Sequence, residues 1–272
     1  MAISSLTQRV FTAVVLVALL LPALLFLPKG FGLALVSVFV LGAAWEWSAF
    51  VAAASPRRIA YVGAVAFVMA AVAWVVPARL SGTVVLVAAL LWWSVAFAMV
   101  LRFPFKVGRP LAAVAGACVL VPAWFALLTL LDTPSGGRTL LLVVIAITCA
   151  ADIGAYFAGR RFGRVKLAPQ VSPGKTWEGV MGGLLLAVAV ALASAAWLRM
   201  PPGPAVFLGL SVASLSIVGD LTASLFKRGA GLKDSGSIFP GHGGILDRID
   251  SLTAAAPLFV LVAGWLGWLG AR

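Results

Sequence analysis

Charge is scarce in this sequence. Only 10% of its 272 residues are Asp, Glu, Lys or Arg, against about 25% in an average soluble protein, too little to keep a wetted surface on a monomer of this size. The two cysteines, Cys118 and Cys149, both fall inside apolar runs, which argues against a disulfide framework and against a zinc site. The single histidine, His242, has no Cys near it, so nothing points to a soft metal. Apolar residues make up 63% of the chain. They come in runs of about 20, the length that crosses a hydrocarbon core of about 30 Å as a helix. The expected fold class is an all-α polytopic integral membrane protein.

Nine spans are expected, at roughly 10–28, 31–54, 59–77, 82–101, 110–131, 138–158, 177–198, 204–226 and 251–269. The first is long for a signal peptide and lacks a small-x-small cleavage site, so it reads as a retained span. Pro28-Lys29-Gly30, Pro77-Ala78-Arg79 and Pro201-Pro202-Gly203 mark short turns. Two connections, Arg160 to Lys175 and Lys227 to Asp250, are longer, polar and rich in Gly. The chain divides into residues 1–135, with about five spans, and residues 136–272, with about four spans and both polar loops.

The net charge of +12 would suggest nucleic acid on a soluble protein. On a membrane protein it reflects basic cytoplasmic loops, which also attract anionic headgroups and phosphorylated substrates. With the N-terminus in the cytoplasm, 15 basic residues fall on the inner side and five, Lys29, Arg79, Arg138, Arg199 and Arg272, on the outer. This asymmetry places both long loops on the cytoplasmic face, and losing or gaining one span would scramble it.

With eight acids in all, each position is informative. Asp132, in an outer turn, reads as merely solvated. Glu46, between Trp45 and Trp47, suits a local hydrogen-bonding role or a site role equally. Asp152, Glu178, Asp220, Asp234, Asp247 and Asp250 all lie at or near the cytoplasmic ends of the last four spans. A carboxylate inside a span costs about 2.5–3.5 kcal/mol on insertion scales and marks a functional site by default. Asp220 is the sharpest case, with Ser216 and Ser224 four residues either side on the same helix face. Asp247 and Asp250, three apart, share a face at the start of the last span, where helix capping alone would also explain them. The functional reading is that these acids converge on a divalent cation. An all-oxygen set suits Mg²⁺, which takes one or two carboxylates and binds substrate phosphates.

The loops carry matching chemistry. Ser172, Lys175 and Thr176 precede an apolar helix, whose exposed N–H groups suit an anion; an ordinary loop capped by Thr176 is the alternative. Gly174-Lys175-Thr176 is not a Walker A loop, because position 169 is Pro and no buried strand precedes it. Lys227, Arg228, Lys233 and Arg248 supply four cations, and Pro240-Gly241-His242-Gly243-Gly244 supplies backbone able to approach a phosphate. His242 reads as a phosphate or water contact.

The stretch SLFKRGAGLKDSGSIFPGHGGILDRID, residues 224–250, closely resembles the characteristic motif of phosphatidate cytidylyltransferases, also called CDP-diacylglycerol synthases. A second block, ADIGAYFAGRRFG at 151–163 followed by SPGKTWEG at 172–179, is similar to the same family. The motifs cover about the last 120 residues; the N-terminal half matches only as a series of spans. The resemblance implies that CTP and phosphatidate give CDP-diacylglycerol and pyrophosphate with Mg²⁺, in the phospholipid biosynthesis of the cell's inner membrane. Asp220 and Asp247 would be the principal metal ligands, with Asp250 either a further ligand or an acid that supports them from behind. Lys227, Arg228, Lys233 and Arg248 would hold phosphates, and Ser172, Lys175 and Thr176 would contribute from the facing loop. Asp152 and Glu178 would orient bases or bind a second cation. The partners implied are CTP, phosphatidate, membrane lipids and a second copy of the chain as a homodimer, with no nucleic acid. Another CTP-using membrane enzyme such as a polyprenol kinase is the closest rival. An ion-coupled transporter also puts carboxylates inside spans, but the long polar loops and the lack of an obvious inverted repeat speak against it.

Overall fold

The computed structural model describes residues 22–76, 80–134, 136–236, 238 and 243–269. Within them are eight long helices and one short hairpin. The helices are α1 (Lys29–Val51), α2 (Ser55–Val75), α3 (Leu80–Arg102), α4 (Arg109–Asp132), α5 (Gly137–Phe162), α6 (Trp177–Leu198), α7 (Pro202–Gly229) and α8 (Leu246–Trp265); β1 (Lys166–Ala168) and β2 (Ser172–Thr176) lie between α5 and α6. Residues 22–26 are also helical; the rest of the first expected span lies outside the described residues. Proline opens α2, α4 and α7 in the first turn, where its missing N–H has no intrahelical partner to lose.

Among the described residues, α1 to α7 are each long and apolar enough to cross a membrane. Their outward faces carry large apolar side chains, including Phe67, Phe97, Leu185, Trp197 and Trp74, the last 92% exposed. Water would not tolerate so continuous an apolar surface on a monomer, whereas lipid matches it. The protein is a helical, polytopic membrane protein.

Two packing devices set the interior. Trp47 of α1 is fully buried, donates its indole N–H to the Ala112 carbonyl at 2.8 Å, and packs on Phe50 and Phe226. A Cβ at Gly116 of α4 would come within 2.5 Å of that indole, so only glycine leaves room for it. The second device is a seam of small residues between α5 and α6. A Cβ at Gly154 would stand 2.5 Å from the Gly182 carbonyl oxygen, and one at Gly183 2.7 Å from that of Ala151. Helices in lipid gain their association from such close backbone approach.

Three expectations are corrected here. The first polar connection is not a plain loop but folds into the antiparallel hairpin β1–β2. Pro169, whose fixed φ suits the second position of a turn, lets the Val171 N–H reach the Ala168 carbonyl at 3.1 Å. The Trp177 N–H to Val165 carbonyl bond at 2.9 Å extends the pairing. The last helix starts at Leu246 rather than 251, taking Asp247 and Asp250 into its opening turns. Asp132 is not merely solvated: α1 begins where α4 ends, so Lys29 forms an ion pair with it. Arg138 donates to the carbonyls of Leu25 and Leu27 nearby, collecting three residues of the expected outer face at one end of the bundle.

Candidate active site

The site is built on α7. Asp220 and Lys227 are seven residues apart, two helical turns, and therefore share a face. Both line a cavity of about 700 Å³ bounded by α5, the hairpin, α6, α7 and α8. Ser224 donates to Asp220 Oδ1 at 3.4 Å. Ser216, expected on the same face, instead donates to the Ala213 carbonyl of its own helix at 2.8 Å, as serines in helices often do. Lys175, at the end of β2, reaches Asp220 Oδ2 at 2.6 Å.

A second ion pair stands beside the first. Lys227 Nζ lies 2.7 Å from Asp247 Oδ1, with both side chains about nine-tenths buried. The other oxygen of Asp247 accepts from the N–H groups of Ser235 and Gly244, each at 3.1 Å.

Ser251 joins two further acids. Its N–H donates to Asp250 Oδ1 at 2.8 Å and its hydroxyl to Asp152 Oδ1 at 3.4 Å. Tyr156 and Arg160, hydrogen-bonded to each other at 2.9 Å, follow Asp152 along one face of α5 and also line the cavity. Thr176 is the N-cap of α6, its hydroxyl accepting from the Gly179 N–H at 3.2 Å. Thr176→Ala is expected to cost about 1 kcal/mol, read as a fall of about 2–4 °C in the Tm of the detergent-solubilised protein. An unchanged Tm would deny the cap any energetic role.

Of the residues expected from sequence, the cavity brings together Ser172, Lys175, Thr176, Asp220, Lys227, Asp247, Arg248 and Asp250. Ser224 stands behind Asp220. Lys233 is exposed and does not line the cavity, and Arg228 turns away to donate to the Val171 carbonyl at 3.4 Å, tying α7 to the hairpin. His242 lies outside the described residues. Asp152 and Asp234, two of the acids expected to converge, line the cavity as well, whereas Tyr156 and Arg160 do so without having been singled out; the spacing 152, 156, 160 is itself a helical face.

Among the described residues the lining holds five carboxylates and four cationic side chains. No three acidic, His or Cys groups among those residues close on a common point in this geometry. A larger groove of about 950 Å³, with Phe157, Met181 and Leu185 in its walls, runs along the opposite face of α5. It is almost wholly apolar, and Glu178, expected beside the other acids, lines this groove and not the polar cavity.

Residues 7–266 match the profile of the cytidylyltransferase family. The chain belongs to this family. Two relatives align with it almost end to end. A protein named phosphatidate cytidylyltransferase from Pseudomonas aeruginosa is 43% identical over 97% of this chain and 98% of its own length. Another of that name, from Haemophilus influenzae, is 42% identical over 93% of this chain and 97% of its own. In this cytidylyltransferase, family membership and the cavity coincide: every lining residue lies within the matched span.

Proposed function

We propose that the protein transfers CMP from CTP to phosphatidate, giving CDP-diacylglycerol and pyrophosphate. The observation that carries this reading is the pair of ion pairs, Lys175–Asp220 and Lys227–Asp247, side by side in one cavity of a chain that aligns end to end with phosphatidate cytidylyltransferases. Each ammonium is already within hydrogen-bond reach of one anion and can exchange it for a phosphate oxygen. Arg248 and Arg160 add two more cations to the cavity lining. The lipid phosphate oxygen attacks the α-phosphorus of CTP, the bond to the α,β-bridging oxygen breaks, and pyrophosphate carries the electrons away. Both reactants are anionic, so Lys175 and Lys227 act by positioning and by neutralising developing charge. No protein nucleophile takes part, and a phosphate monoester dianion needs no general base.

A divalent cation belongs to this reading. The lining has a surplus of carboxylates where two phosphorylated molecules must enter, and all its donors are hard oxygens. Asp220 and Asp250, with Asp152 beside them, suit Mg²⁺, which asks for one or two carboxylates and takes its other ligands from water and phosphate. Asp247 is the less available acid, since Lys227 and two N–H groups already occupy its oxygens. When bound, Mg²⁺ supplies charge neutralisation and polarises phosphoryl oxygens. The topology in this reading is nine spans with the N-terminus and the cavity on the cytoplasmic side of the cell's inner membrane, supported by the 15-to-5 division of basic residues. The working unit is a homodimer.

Purified protein with phosphatidate and CTP labelled at the α-phosphorus is expected to place label in the lipid fraction and release pyrophosphate in equal amount. Chelation should stop this and added Mg²⁺ restore it. Label that stays aqueous as CDP, with the γ-phosphoryl group moving instead, would assign the protein to the kinases.

A further inference from the structure

Glu46 is the one acid of the N-terminal helices that is almost fully buried, with 2% of its surface exposed among the described residues. No Lys or Arg among those residues pairs with it. Three donors do, all from the other end of the sequence: the Ile245 N–H at 3.0 Å, the Leu246 N–H at 2.8 Å and the Ser235 hydroxyl at 3.2 Å. Two of these are N–H groups at the start of α8, where a negative charge also meets the positive end of the helix dipole. Gly236 and Gly244 pack so closely on this carboxylate that a Cβ at either would overlap it. Ser235 and Gly244 in turn give their N–H groups to Asp247, which holds Lys227. The backbone at Ser235 and at Gly244–Leu246 is thus gripped from two sides, by Glu46 of α1 and by Asp247 of α8.

We propose that Glu46 is a positioning residue for the transfer reaction: its carboxylate fixes the backbone at Ser235 and at Gly244–Leu246 so that Asp247 and Lys227 meet in register at the cavity. It touches no substrate and acts through Asp247. The inference rests on the function proposed above, because it assigns Lys227 a phosphate contact. Glu46→Gln keeps the volume but replaces one acceptor oxygen by an N–H₂ that faces a donor. A buried donor left unsatisfied in this way weakens the arrangement enough for a fall in kcat of about 10- to 100-fold. The KM for phosphatidate is expected to stay within about twofold, since Glu46 touches no substrate. Ser235→Ala removes one of the three bonds from the loop side and should lower kcat by a smaller factor, about 3- to 10-fold, with normal yield of folded protein. Gly244→Ala should lose activity, and Glu46→Asp, shorter by one methylene, should restore part of it in the double variant.

Hydrogen exchange on the full chain in detergent tests the grip without relying on turnover. In Glu46→Gln the amides of Ile245 and Leu246 are expected to exchange faster while those of α5 and α6 do not change. Wild-type kcat in both Glu46→Gln and Ser235→Ala overturns the proposal and leaves the reaction assignment standing. An unmodified protein that makes no CDP-diacylglycerol overturns the reaction and the catalytic part of this role together. Exchange at Ile245 and Leu246 that does not respond to Glu46→Gln overturns the grip itself.

Discussion

Asp220→Asn is expected to lower kcat by about 10²- to 10³-fold, the range found when one preorganised electrostatic group is removed from an active site. The variant should insert and fold normally. Asn keeps the shape of Asp and can still accept from Ser224, whose hydroxyl lies 3.4 Å from Oδ1. The side chain is more than a quarter exposed, so the lost charge takes little stability with it. What disappears is one anion facing the cavity and the partner of Lys175. Freed of Asp220, Lys175 is more available to a phosphate, so the KM for CTP should hold steady or fall while kcat collapses. Steady-state kinetics at saturating Mg²⁺ decide this. A variant with near-normal kcat would remove Asp220 from the carboxylates proposed to hold Mg²⁺, and a KM that rises with unchanged kcat would make it a simple binding residue.

Lys227→Met has the largest expected effect on stability. The pair it forms with Asp247 is about nine-tenths buried on both sides. Removing one partner of such a pair costs about 3–5 kcal/mol, because the other charge stays behind without compensation. Asp247 would keep only the N–H donors of Ser235 and Gly244. Adding Asp247→Asn removes the stranded charge, so the double variant should recover most of the lost Tm. Activity should not return, since no cation remains at that point to meet a phosphate. Thermal unfolding and CMP transfer measured on both variants separate the two roles. A double variant that regains activity with its stability would reduce Lys227 to a structural partner of Asp247.

Much of this site is readable from the chain because charge is so rare in it. Against a background of apolar spans, Asp220, Lys227, Asp247 and Asp250 stand out, and helical spacing alone predicts that Asp220 and Lys227 share a face. Asp152, Tyr156 and Arg160 obey the same rule. Features that depend on distant pairing are not readable in this way. Glu46 meets Ile245 and Leu246 across 199 and 200 residues, and no local pattern encodes which buried donors a lone carboxylate will find. Asp132 meets Lys29 for the same reason. Gly244 illustrates a related ambiguity. A glycine beside phosphate-binding residues suggests room for a ligand, yet here its missing side chain makes room for Glu46. The hairpin hides in a short polar stretch where Pro169 and two brief strands give no periodicity long enough to detect.

Trp45, Glu46 and Trp47 are three consecutive residues, each anchored differently. The Trp45 carbonyl accepts from Arg58 at 2.9 Å, and the Trp47 indole is held by Ala112 at 2.8 Å. The described groups that line the reaction chamber all come from residue 151 onward, so the second half of the chain looks self-sufficient on paper. It is not a detachable module. A fragment starting at residue 136 would retain the whole lining and lose the wall it leans on, and co-expressing the two halves as separate polypeptides should restore what neither does alone.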